Sequence, residues 1–429
     1  MSKIKKIVGE LIPDNPVNCV NSIDYIVGGV FIYTLTNYLL LFYLPQFLWW
    51  ILDLIAVGSF LYGIATAKLR MHVDMDVALC TLFLLLYAFM IFVLGIIEPA
   101  FNIPHIVTNQ HYVLPYLLPL LVFVRLNSYD IRKIYRYLYL GCFLSFVYYL
   151  IYGYSFIFDT EATHQMMDDV MEGTSVFGGI YFQLAKVSVG VPFASAIALY
   201  YISGNYPKHV HKYVMIFVLL ACMLSAMAFG RRANSAFNFL ILLSPIIVKS
   251  LYGRHKLKHI ILILFIVTVG YLSFFAVLEF FPILESRWDS DNRSDLFGDF
   301  FRKFDTFEMI FGKGLHGTYV TTQDDLGERN MIENGHLDII LRTGLLYLML
   351  YMYIIIAASI KGIARSRSSL ITGAGVFLII KFLAMAANIQ IFDLSDMMLF
   401  FCVSLCASDT SKKSYMLFYR KIILLLLRR

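Results

Sequence analysis

Of 429 residues, 59% are hydrophobic and only 15% are charged, whereas a soluble domain carries roughly a quarter charged residues. No soluble core hides that much apolar surface, so much of it is expected to face lipid. The formal charge of +6 lies in short basic clusters between apolar runs, a pattern that argues against nucleic acid and for membrane topology.

The predicted fold is all-α, a polytopic membrane bundle of about twelve helices with one large extracytoplasmic loop. Crossing a hydrocarbon core takes about 20 apolar residues. In chain order the candidate spans are Ile26–Leu44, Phe47–Ala67, Val77–Ile97, Tyr112–Val124, Tyr137–Phe158 and Val187–Ser203. They continue with Tyr213–Phe229, Ala236–Val248, Ile260–Phe281, Leu337–Ser359, Leu370–Phe392 and Leu394–Ala407. Barrel strands would alternate over about ten residues, and these runs are apolar on all sides. The chain divides into a bundle over 1–281, an outer loop over 282–336, three further spans over 337–408 and a basic tail over 409–429.

Lysine and arginine set the orientation. Lys3, Lys5 and Lys6 precede the first span, and Met1–Asn21 reads as a retained cytoplasmic end with that span as signal anchor. Lys68, Arg70, Arg125, Arg132, Lys133, Lys249, Arg254 and Lys361 then fall on the same side, as does the tail Tyr415–Arg429, which reads as an apolar, basic segment lying on the membrane surface. Both termini are thus expected in the cytoplasm, while Asp159–Glu172 and the 282–335 connection fall outside with an acidic excess. All six cysteines except Cys19 lie in apolar runs, so neither disulfides nor a zinc site is expected. Neither an internal repeat nor a glycine-rich phosphate cradle is found, so direct use of ATP is not expected.

The exceptions to the charge rule point to chemistry. Gly230-Arg231-Arg232-Ala233 lies in a tight outer turn. Guanidinium forks there either pair with acidic loop residues or grip the phosphate oxygens of an anionic lipid. Lys186, Arg342 and Lys381 are further basic residues in or beside apolar runs, where charge is costly. In the outer loop, Phe297, Phe300, Phe301, Phe304, Phe307 and Phe311 recur at spacings of three and four, which predicts an amphipathic helix over Arg293–Phe311. Such a helix lies on the membrane, caps the bundle, or shapes a groove for a lipid tail or sugar rings. Gly312 and Gly314 follow, shaping a tight turn. Glu333, His336, Asp338 and Arg342 gather where the tenth span begins, a set suited to proton transfer.

In this order the motifs resemble the O-antigen polymerase and O-antigen ligase superfamily. Gly230-Arg231-Arg232-Ala233 is similar to that family's Ser/Gly-Arg-Gly-Ala stretch. Arg293 with Ile310-Phe311-Gly312-Lys313-Gly314 is similar to its Arg…(Leu/Phe)-x-Gly-x-Gly run. His336 with Leu341 and Gly344 is similar to its His-Asn-x-x-Leu…Gly stretch. Leu337 stands where the family usually has asparagine, and Arg232 where it has glycine.

The resemblance implies a membrane glycosyltransferase of C-type architecture in a bacterial inner membrane, working on polyprenyl-diphosphate-linked oligosaccharide without a cofactor or metal. Arg231, Arg232, Arg293 and Arg342 would contact the diphosphate, with His336, Glu333 and Arg293 catalytic. A polymerase would extend a lipid-linked repeat unit, with a chain-length regulator as a possible partner. A ligase would use another acceptor, and a lipid-linked oligosaccharide flippase is the competing class.

Overall fold

The computed structural model describes residues 20–34, 36, 46–68, 73–97, 113–126, 130, 131, 133, 134, 137, 213, 216, 217, 219, 220, 223, 232–252, 261, 265, 268, 300, 304–314, 317, 319, 320, 328, 329, 334–365, 369–385 and 394–407. Their order is α1 (Ser22–Thr34), α2 (Gln46–Thr66), α3 (Met75–Ile97), α4 (Val113–Leu117) with a 3-10 segment Leu118–Phe123, and α5 (Arg232–Tyr252). Then come α6 (Thr306–Phe311), β1 (Tyr319–Val320), β2 (Glu328–Arg329), α7 (Gly335–Arg365), α8 (Ser369–Met385) and α9 (Leu394–Cys406). Among the described residues the elements are helices save for the short antiparallel ladder that pairs Tyr319 with Arg329.

Long apolar runs without proline give α2 and α3, whose bounds fall within two residues of the predicted second and third spans. Pro115 and Pro119 prevent the same over Tyr112–Val124. Proline supplies no backbone N–H and crowds the preceding turn, so the expected fourth span becomes a five-residue α-helix running into a 3-10 segment with proline in its first turn. The predicted helix Arg293–Phe311 is likewise not continuous. Phe304 and Asp305 are non-helical, and α6 starts afresh at Thr306. The predicted spans Tyr137–Phe158, Val187–Ser203, Tyr213–Phe229 and Ile260–Phe281 lie, but for isolated positions, outside the described residues.

α3 faces outward with the wrong polarity for water. Leu79, Leu82, Phe83, Leu86, Phe89, Met90 and Val93 recur at three and four residues and are all exposed. A helix on a soluble protein keeps that stripe polar, and an apolar exposed patch of this extent marks a contact surface. Over Gly335–Ala364, α7 is long and apolar enough to cross a membrane.

One end of the helical cluster gathers basic loops. Lys361 near the end of α7 binds Asp74 at 3.0 Å and Asp76 at 2.8 Å, and Asp76 also accepts from the Tyr353 hydroxyl at 3.1 Å. Asp74 N–H donates to the Ala407 carbonyl, Arg125 N–H to that of Lys68, and the Ser404 hydroxyl to that of Val124. Lys133 pairs with Asp24 at the start of α1, and a Cβ at Gly63 near the end of α2 would strike the Ser22 carbonyl. Every basic residue named in these contacts belongs to the set that the charge rule places on one side.

Candidate functional site

The opposite end is built around a break in α7. Gly344 has φ +79° and ψ 172°, a conformation essentially confined to glycine. In an unbroken helix the carbonyls of Leu341 and Arg342 would accept from residues 345 and 346. Here Lys313 N–H donates to the Leu341 carbonyl at 2.7 Å, and Gly314 N–H to that of Arg342 at 3.1 Å. The Gly312–Gly314 turn is therefore threaded onto the broken turn as a backbone splint.

The contact leaves no room for side chains. A Cβ on Gly344 would lie 2.5 Å from the Ile310 carbonyl carbon and 2.6 Å from the Gly312 nitrogen. One on Gly312 (φ +80°) would lie 2.6 Å from Thr343 N. Glycine at both positions thus sets the register of loop and helix. The loop side is closed by a capping box: Glu308 N–H donates to Asp305 Oδ1 at 2.7 Å, and Asp305 N–H to Glu308 Oε2 at 3.3 Å. That pairing fixes the start of α6, and Gly312 N–H closes its end by donating to the Glu308 carbonyl at 2.7 Å. Tyr87 of α3 donates to the Phe311 carbonyl at 3.0 Å.

Above the break, Asn334 caps the first turn of α7. Its Oδ1 accepts from the N–H groups of His336 at 3.0 Å and Leu337 at 3.1 Å. The His336 ring packs on Phe382 of α8 with centroids 4.7 Å apart, and its Nε2 is buried without a partner among the described residues. A buried imidazole nitrogen with no protein partner is suited to meet a ligand hydroxyl or a water. One turn below, the Arg342 Nε donates to both oxygens of Asp338 at 3.3 Å, with side-chain exposures of 8% and 7%. The pair has hardly any solvent around it, so each charge depends on the other. The Thr343 hydroxyl donates to the Ile339 carbonyl at 2.7 Å, closing the upper segment.

Of the residues singled out in sequence, the structure brings together Gly312, Gly314, His336, Asp338 and Arg342. Arg231, Arg293 and Glu333 lie outside the described residues, and Arg232 is the first residue of α5. Arg342 is engaged by Asp338 within its own helix. The roles of Tyr87 and Lys313 in this joint, and a buried amide at Asn238 outside it, escaped the sequence reading. Tyr87 gave no signal, being one tyrosine in an apolar run. Lys313 ion-pairs Glu308 at 3.4 Å and lies 4.9 Å over the Phe304 ring; its position between two glycines was the available clue. Asn238, six residues into α5, is fully buried, and neither amide atom has a partner among the described residues. A lone asparagine in an apolar run was a legible sign, since a buried amide without partners is costly.

No protein-family model matches this chain, nor does any curated protein or solved structure.

Proposed function

We propose that this chain is a multi-pass membrane glycosyltransferase, a polysaccharide polymerase that transfers a growing glycan from polyprenyl diphosphate to a lipid-linked repeat unit. In this reading it lies in a bacterial inner membrane, with the Lys361 end and both termini on the cytoplasmic side and the broken end of α7 at the outer face. The observation that carries the proposal is the seating of Gly312–Gly314 on α7, which holds the loop against the helix turn bearing Asp338 and Arg342, below His336. Two of the three sequence islands that resemble the polymerase superfamily meet there.

The chemistry follows from charge. The bond between the anomeric carbon and the diphosphate oxygen breaks as the acceptor hydroxyl attacks from the opposite face, inverting the configuration. Negative charge accumulates on the departing diphosphate, and Arg231, Arg232 and Arg293 supply the neutralising guanidinium groups. The hydroxyl proton passes to His336 Nε2, with Glu333 as the competing base. Arg342 enters as the partner of Asp338, holding the first turn that carries His336.

The alanine variants of Arg231, Arg293 and His336 test this in cells. Each is expected to abolish long glycan and to leave single lipid-linked repeats at the outer leaflet; normal chain lengths in all three would discard the site. The second reading is a flippase, favoured by the discontinuity of α7 at Gly344, since broken helices line transporter sites. A flippase defect strands the repeats on the inner leaflet. A ligase defect leaves long lipid-linked chains with an unmodified acceptor.

A further inference from the structure

We propose that α6 and the glycine turn after it form a re-entrant element immersed in the outer leaflet, with Phe307, Ile310 and Phe311 against lipid acyl chains. The inference takes from the functional reading only its membrane orientation, not its chemistry.

Depth is the first argument. Lys361, Asp74 and Asp76 form a charged layer that belongs at a membrane boundary. Along α3, Tyr87 stands eleven residues beyond Asp76, about 17 Å at 1.5 Å per residue, and it is Tyr87 that holds the Phe311 carbonyl. Along α7, Gly344 stands seventeen residues before Lys361, about 26 Å by the same rise, and Gly344 abuts Ile310. Both routes place α6 roughly 17–26 Å from the charged layer, inside a hydrocarbon core about 30 Å thick. Ten more residues of α3 continue past Tyr87 to Ile97, so α6 lies beside the helix, not beyond its end.

Hydrogen bonding is the second. Irregular backbone persists at membrane depth only where its polar groups are satisfied by protein. The capping box serves Asp305 and Glu308 N–H, and the N–H groups of Met309, Gly312, Lys313, Gly314 and Gly317 all donate to carbonyls. Of the segment's charged groups, Lys313 pairs with Glu308, and the Asp305 carboxylate accepts from Glu308 N–H in the capping box.

Exposure is the third. α6 turns out apolar side chains: Phe307 is 68% exposed and stacks on Phe311 at 4.8 Å, and Ile310 is exposed beside them. The neighbouring surface is the outward apolar stripe of α3 that includes Leu86, Phe89 and Met90. The two surfaces belong to one lipid-facing belt.

Tryptophan quenching decides it. With Trp49, Trp50 and Trp288 replaced by Phe, the full chain carrying Phe307→Trp or Ile310→Trp is reconstituted in phosphatidylcholine vesicles with brominated acyl chains, and Phe89→Trp marks the α3 stripe. The expected result is loss of emission at both α6 positions as large as at Phe89→Trp, with little quenching by aqueous acrylamide. Quenching by acrylamide and not by bromine would place α6 in water and overturn the proposal. Quenching by neither would mean that protein covers it, with the same consequence. If Phe89→Trp also escapes bromine, the membrane frame itself falls, and with it the functional reading. Bromine quenching in a chain that makes no glycan would leave the inference standing and refute only the chemistry.

Discussion

The two ends of this helical cluster are held by different mixtures of contacts: the Lys361 end adds buried ion pairs to its backbone bonds, and the Gly344 end is joined chiefly by a backbone splint. At the Lys361 end, side chains reach across helices: one ammonium joins Asp74 and Asp76, and Ser404 ties α9 to the Val124 carbonyl. At the Gly344 end the joint is backbone on backbone, between Lys313 and Gly314 of the loop and Leu341 and Arg342 of the broken helix. A side-chain joint tolerates small displacements, because a long lysine can follow its partners. A backbone joint closed by two glycines has no such slack, and a single methyl group evicts the loop. The contrast suits a scaffold at one end and a positioned site at the other.

Substitutions can break that comparison in graded steps. Arg342→Ala leaves Asp338 buried and unpaired, and the expected loss is about 3–5 kcal/mol. The double variant with Asp338→Ala should recover part of it, as read by thermal unfolding in detergent. Next comes Gly344→Ala, expected to cost about 1–3 kcal/mol from backbone strain alone and to make 312–317 accessible to protease. Gly58→Ala is its control: nothing lies within 4 Å of the added Cβ, so stability should hold or rise by up to about 1 kcal/mol. Equal losses at the two glycines would contradict the splint. At the other end, Lys361→Met should cost about 1.5–3 kcal/mol through its lost charged hydrogen bonds, without freeing the loop.

The same contrast explains what was legible in sequence. Unbroken apolar runs announce themselves, so α2, α3 and α9 fall within two residues of the expected spans. The side-chain end was readable in part, because the charge rule grouped Lys68, Arg125, Lys133 and Lys361, and their contacts lie at one end of the cluster. The backbone end was harder. The phenylalanine spacing suggested one helix over Arg293–Phe311, yet Asp305 and Glu308 stand three apart as a capping box and mark a new start at Thr306. Gly344 is one of several glycines in apolar runs, and nothing local distinguishes a glycine at φ +79° from one inside a regular helix such as Gly58. Its partner Gly312 lies 32 positions earlier in the chain, and only the assembled fold pairs them. The histidine and the glycine turn were singled out in sequence, and the structure seats the turn on the helix that begins beside His336. Asn238 and Tyr87 take their significance from burial and from a long-range contact.

The most direct test of the central claim uses purified protein in vesicles with a polyprenyl-diphosphate-linked repeat unit, followed by separation of the glycan products by length. The account predicts a ladder of repeats from the native chain, and only the single unit from His336→Ala, with turnover reduced about 10²–10⁴-fold. A ladder unchanged by His336→Ala, or a native chain that moves the lipid across the bilayer without joining repeats, would contradict it.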